Sequence, residues 1–141
     1  MSFANLTTLR LCCVLFGSLL TASAQAQVPS MTVYSDICMH EETGDLLGTR
    51  VALLKLPDAT YVFFQLAEGE LSPPVIGKLL QRGETIAFEV DLYGKTLKFI
   101  GTLTNTAITA RLSNNGLSPS GSEVFRLPRI RDTTASIPRC R

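Results

Sequence analysis

The sequence has no tryptophan and a single histidine, His40. One histidine leaves little material for a nucleophilic triad, which needs a histidine base beside a serine or cysteine. No serine lies in a G-x-S-x-G setting, and no G-x-x-x-x-G-K-[ST] phosphate loop occurs. Carboxylate pairs are badly placed for acid–base work. Glu41 and Glu42 are adjacent and would point to opposite faces of a strand, and Glu68 and Glu70 sit in a turn-like stretch. These absences point away from an enzyme and from a bound cofactor.

Long apolar runs are also missing. The longest, LCCVLFGSLL, covers only about ten residues, where a membrane helix takes roughly 20. It follows a start with one base, Arg10, and no acid, and it leads into TASAQAQ, with Ala24 and Ala26 in A-x-A spacing. That order predicts a secretory signal peptide over residues 1–26, cut between Ala26 and Gln27, with Ala24/Gln25 as the alternative. Cys12 and Cys13 lie at the start of the run, too early for a lipoprotein cysteine. The expected mature chain, 27–141, is a single domain without a transmembrane segment, periplasmic or secreted. It keeps 12 acids and loses one of the 13 bases, so its formal net charge is near zero. A neutral surface gives no general attraction to nucleic acid.

The same cut removes two of the four cysteines and leaves Cys38 and Cys140. In an exported chain an even count reads first as a disulfide, here fastening the tail to the start of the domain. Two free or intermolecular thiols are the alternative.

What is present is alternation. In TIAFEVDL, residues 85–92, Ile86, Phe88, Val90 and Leu92 alternate with Thr85, Ala87, Glu89 and Asp91. That is a strand with one wet face. Further strands are expected at 32–38, 49–56, 61–67, 96–103, 107–112 and 122–128, the last ended by Pro128. PDAT, YGK, TNT and NNG supply the turns. Residues 73–82 read either as a helix, with Ser72 as cap and Gly83 as stop, or as a strand after Pro73 and Pro74; the strand is favoured. The fold class is therefore all-β: a small antiparallel meander of seven or eight strands with at most one short helix, closing as a barrel or folding as a sandwich. Its core is expected over about 31–128, followed by an arginine-rich tail, 129–141.

The stretch GETIAFEVDLYGKTLKFIGTLTNTAITARL, continued by SEVFRLPR, resembles small exported bacterial β-domains that run F-x-V…G-K-x-L-x-F-x-G-x-L and on to F-x-L-x-R. These look like the calycin type of up-and-down barrel, the architecture of lipocalins and avidins. The resemblance covers residues 47 to 129 and implies a closed barrel. The missing tryptophan removes the G-x-W of lipocalins and the indole-lined pocket of avidins, so neither ligand carries over.

Two stretches hold candidate site residues. DICMHEETGD, residues 36–45, gathers Asp36, Cys38, His40, Glu41, Glu42 and Asp45. On a continuous strand His40 would share a face with Cys38 and Glu42. One histidine with carboxylates is a thin metal site, and the favoured reading is a disulfide anchor followed by a turn at Gly44. The tail sets Arg126, Arg129, Arg131, Arg139 and Arg141 against Asp132 alone, either a docking patch or a solvated end. Three functions follow. The first is a non-enzymatic module binding a small apolar or amphipathic ligand in the barrel interior or at one open end. The second is a protein-interaction module of the cell envelope, such as an inhibitor or assembly partner, acting through the loop SNNGLSPSGSE and the arginines. The third is an enzyme or metal protein using 36–45. The first is preferred.

Overall fold

The computed structural model describes residues 28–112, 124–132 and 136–140. The expected signal peptide, the 113–123 loop and Arg141 lie outside them. Nine strands and no helix are present among the described residues: β1 (Ser30–Ser35), β2 (Cys38–Met39), β3 (Leu46–Lys55), β4 (Thr60–Gly69), β5 (Val75–Arg82), β6 (Thr85–Leu92), β7 (Lys95–Leu103), β8 (Ala107–Leu112) and β9 (Val124–Ile130). Every neighbouring pair is antiparallel, and β1 pairs with both β9 and β3. Eight strands thereby close into a barrel, and β2 is a short extension beside β3. The meander is thus the barrel of the two expected forms, with 75–82 a strand. Closure leaves few unpaired edges.

The turns form where the chemistry allows them. Leu92 pairs with Lys95, and the two residues between, Tyr93 and Gly94, both have positive φ (50° and 74°). That is the two-residue hairpin geometry whose twist suits antiparallel strands. Leu56 N–H donates to the Ala59 carbonyl (2.8 Å) across the Pro57–Asp58 turn.

Two strands serve as corners. Residues 75–78 of β5 pair with β4, and 79–82 pair with β6. Residues 124–128 of β9 pair with β8, and 129–130 pair with β1. Pro128 therefore does not end its strand, as its missing donor suggested. It pairs with Ala107 on one side and faces no β1 partner on the other, so no ladder bond is lost there. Arg129 N–H continues the ladder to the Thr106 carbonyl at 2.7 Å.

Side chains from all around the ring meet inside. Val51, Val62, Ile86, Ile108 and Leu127 are sealed from solvent. Phe99 stacks on Phe88 (centroids 4.7 Å apart) and meets Phe64 at 5.1 Å and Phe125 edge-on at 5.7 Å. Such aromatic pairs add about 0.5–1.5 kcal/mol beyond the area they bury. Two positions make room by having no side chain. A Cβ on Gly101 would lie 2.1 Å from the Thr109 carbonyl oxygen and 2.6 Å from Ala110 Cα. One on Gly77 would lie 2.2 Å from the Glu89 carbonyl oxygen. The backbone is tightly coiled where β7 meets β8 and where β5 turns its corner.

Two predictions arise here. Gly101→Ala should lower stability by at least about 2 kcal/mol, while Thr102→Ala, on the exposed side, should stay within about 0.5 kcal/mol; urea melts compare them. Tyr34 is buried, and its hydroxyl donates to the Thr104 carbonyl (3.3 Å). Burial pushes the phenol above its ordinary pKa of 10.0, and the Arg129 guanidinium partly offsets this. The raised value favours the protonated folded state, so the stability it contributes is present below the unfolded-state pKa and is lost as pH rises through the folded one. A tyrosinate absorbance titration should show a late phase that Tyr34→Phe removes.

Candidate functional site

The site begins with a register. β1 and β2 run along β3 in one unbroken alignment, from Ser30↔Lys55 through Ser35↔Arg50 to Cys38↔Leu47 and Met39↔Leu46. Only Asp36 and Ile37 interrupt the strand. Asp36 keeps the alignment there, donating its N–H to the Thr49 carbonyl (3.1 Å) and accepting the Thr49 N–H on Oδ1 (2.6 Å). Cys38 is delivered to a fixed place at the end of this ladder.

The chain then turns back. His40 N–H donates to the Asp45 carbonyl (2.7 Å), and Gly44 N–H donates to the His40 carbonyl (2.9 Å) with Gly44 at φ 77°. The Thr43 hydroxyl donates to Asp45 Oδ2 (2.7 Å), and His40 Nδ1 faces the Thr43 backbone N–H (3.4 Å). His40 therefore lies past β2 and belongs to the turn, not to a strand face shared with Glu42. Among the described residues no three His, Cys, Asp or Glu side chains converge as metal ligands.

Cys38 is bonded to Cys140, with the Cα atoms 4.9 Å apart and 102 positions between them in sequence. The tail does more than hang from this bond. Met39 N–H donates to the Pro138 carbonyl (2.8 Å), and Cys140 N–H donates to the Met39 carbonyl (3.0 Å). Met39 and Arg139 form a parallel bridge, so the C-terminus adds a parallel partner to β2. Arg139 also forms an ion pair with Glu41. Both side chains are well exposed, so the pair adds little to stability.

The strap this creates covers the outside of the barrel. Tyr34, Val51 and Leu53 belong to the core, so the paired Ser35 and Arg50 point the other way. Ser35 and Ile37 are nevertheless buried, at 8% and 9% exposure. A cleft of about 420 Å³ lies between this outer face and the C-terminal segment. Its apolar lining is Ile37, Leu46, Leu71, Ile130, Ile137 and Pro138, and Arg50, Arg129, Arg131 and Asp132 bring charge to it. Leu71 is positioned by a folded-back loop: Leu66 N–H donates to Ser72 Oγ (3.0 Å), and Gln65 Nε2 donates to the Ser72 carbonyl (2.9 Å).

Of the arginines singled out in the sequence, Arg129 and Arg131 share the cleft and Arg126 and Arg139 do not. Arg126 is exposed on β9 opposite Thr109, Arg129 directs Nη1 toward the Asn105 carbonyl (3.5 Å), Arg131 lines the cleft and Arg139 meets Glu41. The residue that sequence reading passed over is Arg50. Its signal was present: TRVALLKL is apolar on both faces, and Arg50 is a cation set within it.

Comparison with known proteins finds no family model, no curated protein and no solved structure that matches this chain.

Replacing Cys38 and Cys140 by serine should lower stability by roughly 2–5 kcal/mol, read from denaturant melts of the oxidised protein and the variant. Limited proteolysis should then cut the variant first within 131–140 and leave the barrel intact. Equal melting midpoints would show that the strap holds without its bond.

Proposed function

We propose that the chain is an exported, non-enzymatic binding module that takes a small apolar or amphipathic ligand in the cleft beneath its C-terminal strap. The cleft carries this reading. Its volume, about 420 Å³, falls within the roughly 300–1,000 Å³ typical of small-molecule sites. Its walls are mainly aliphatic, with a few polar groups at fixed positions, the pattern that gives both affinity and orientation. One side of the lining stands on the paired backbones of β1 and β3, and the C-terminal side is tied by the bridge, which supports a preformed site whose ordering cost falls on folding, not on binding. A second depression, about 360 Å³ on the outer face of β5–β7, is lined by Lys78, Glu89 and Lys98, with Lys98 paired to Glu89 at 2.8 Å. Its charges are partly satisfied within the protein, and it is the weaker candidate.

Titration of the oxidised protein with the neutral probe N-phenyl-1-naphthylamine should give a saturable fluorescence rise. Ile137→Lys, on the strap side of the cleft, should weaken that binding at least about tenfold, while Ile76→Lys, outside the cleft, should leave it unchanged. Absence of saturable binding in the wild type, or equal loss in both variants, would reject the cleft as the site.

A further inference from the structure

Arg50 has no assigned task in the fold. It sits half-buried on the outer face of β3, between its pairing partners Ser35 and Gln65. Gln65 Nε2 donates to the Ser72 carbonyl (2.9 Å) and the Ser35 hydroxyl accepts the Ile37 N–H (3.1 Å), and neither neighbour hydrogen-bonds Arg50 Nε. Arg50 Nε is fully buried and has no hydrogen-bond partner within the protein. Such a donor costs stability unless something accepts from it, and a guanidinium cannot shed its charge to escape the cost. The cleft lining adds Arg129 and Arg131 to Arg50 against one acid, Asp132. The same lining is aliphatic at Leu71, Ile137 and Pro138.

We propose that Arg50 receives the anionic head group of a small amphipathic molecule whose apolar body lies against Leu71, Ile137 and Pro138. The proposal rests on the cleft being a ligand site and adds the class of ligand. The head group is a carboxylate, sulfonate or phosphate, because a guanidinium offers parallel N–H donors to two oxygens of one acid. Arg131 on the rim adds positive potential at the entrance and draws anions in. The apolar body is needed because a bare anion would leave the aliphatic wall wet.

Two probes with the same aromatic body separate head from body. 8-Anilino-1-naphthalenesulfonate carries the anion, and N-phenyl-1-naphthylamine lacks it. The wild type should bind the sulfonate more tightly. Arg50→Met should weaken sulfonate binding at least about tenfold and leave the neutral probe within about twofold. Arg126→Met, outside the cleft, should alter neither. Arg50→Lys keeps the charge and removes the fork; it should fall between wild type and Arg50→Met, and it serves as the readout should the methionine variant not fold. Decanoate should displace the sulfonate probe where acetate at equal concentration does not. Sulfonate binding indifferent to Arg50, or equal loss of both probes, overturns the head-group assignment while leaving the cleft as an apolar site. Displacement by acetate overturns the amphipathic class. Failure of both probes to bind the wild type overturns the cleft reading as well.

Discussion

β3 is hydrogen-bonded along both edges for most of its length. β4 takes one edge, and β1 followed by β2 takes the other in a single register. Ring closure, the position of Cys38 and the outward direction of Arg50 all follow from that register. A slip of one residue would send Val51 and Leu53 outward and Arg50 inward, replacing sealed aliphatics with a cation. The penalty for such a slip is several kcal/mol, comparable with the roughly 5–15 kcal/mol that holds a whole domain together. The small bonds at Asp36 matter for this reason. They carry the alignment across the break between β1 and β2, without which Cys38 would not meet Cys140.

The strap then has two roles that a barrel alone does not provide. It covers Ser35 and Ile37, which closure by itself would leave on the outside, and it forms the second wall of the cleft. Its backbone bonds to Met39 are few, so the covalent bond supplies much of what keeps it in place. In the chain-entropy description a loop of this length is worth roughly 4–5 kcal/mol. The site and the bond are therefore coupled, since one wall of the cleft is held chiefly by the bridge.

Much of the fold was legible because period-two patterning is local. Residues 85–92 show it without interruption, and the turn expected at 93–95 holds the two positive-φ residues of the hairpin, Tyr93 and Gly94. The helix alternative at 73–82 failed because Gly77 is there to let β6 approach the corner of β5, not to sit within a helical face. Pro128 was read as a stop because its missing donor is visible in sequence, whereas the change of partner from β8 to β1 that makes it harmless is not. Arg50 was missed for a related reason. Its pairing partners, Ser35 and Gln65, come from 15 positions away on each side, and the cleft that it lines includes the C-terminal segment, so its unsatisfied Nε appears only once the chain is folded. His40 looked chemical because it is unique, and it proved to be part of a turn.

The bond between Cys38 and Cys140 has one more consequence. It joins the first part of the barrel to the last described residue, making a covalent ring of nearly everything between. A single cut at any hairpin tip inside that ring yields one molecule with new ends, not two fragments. The damaged protein keeps its strands at each other's effective concentration and can hold its shape. The same bond can form only after Cys140 has been made and has met β2, so a truncated chain cannot acquire it. The bridge thus marks a chain made through Cys140 and preserves it after it is nicked.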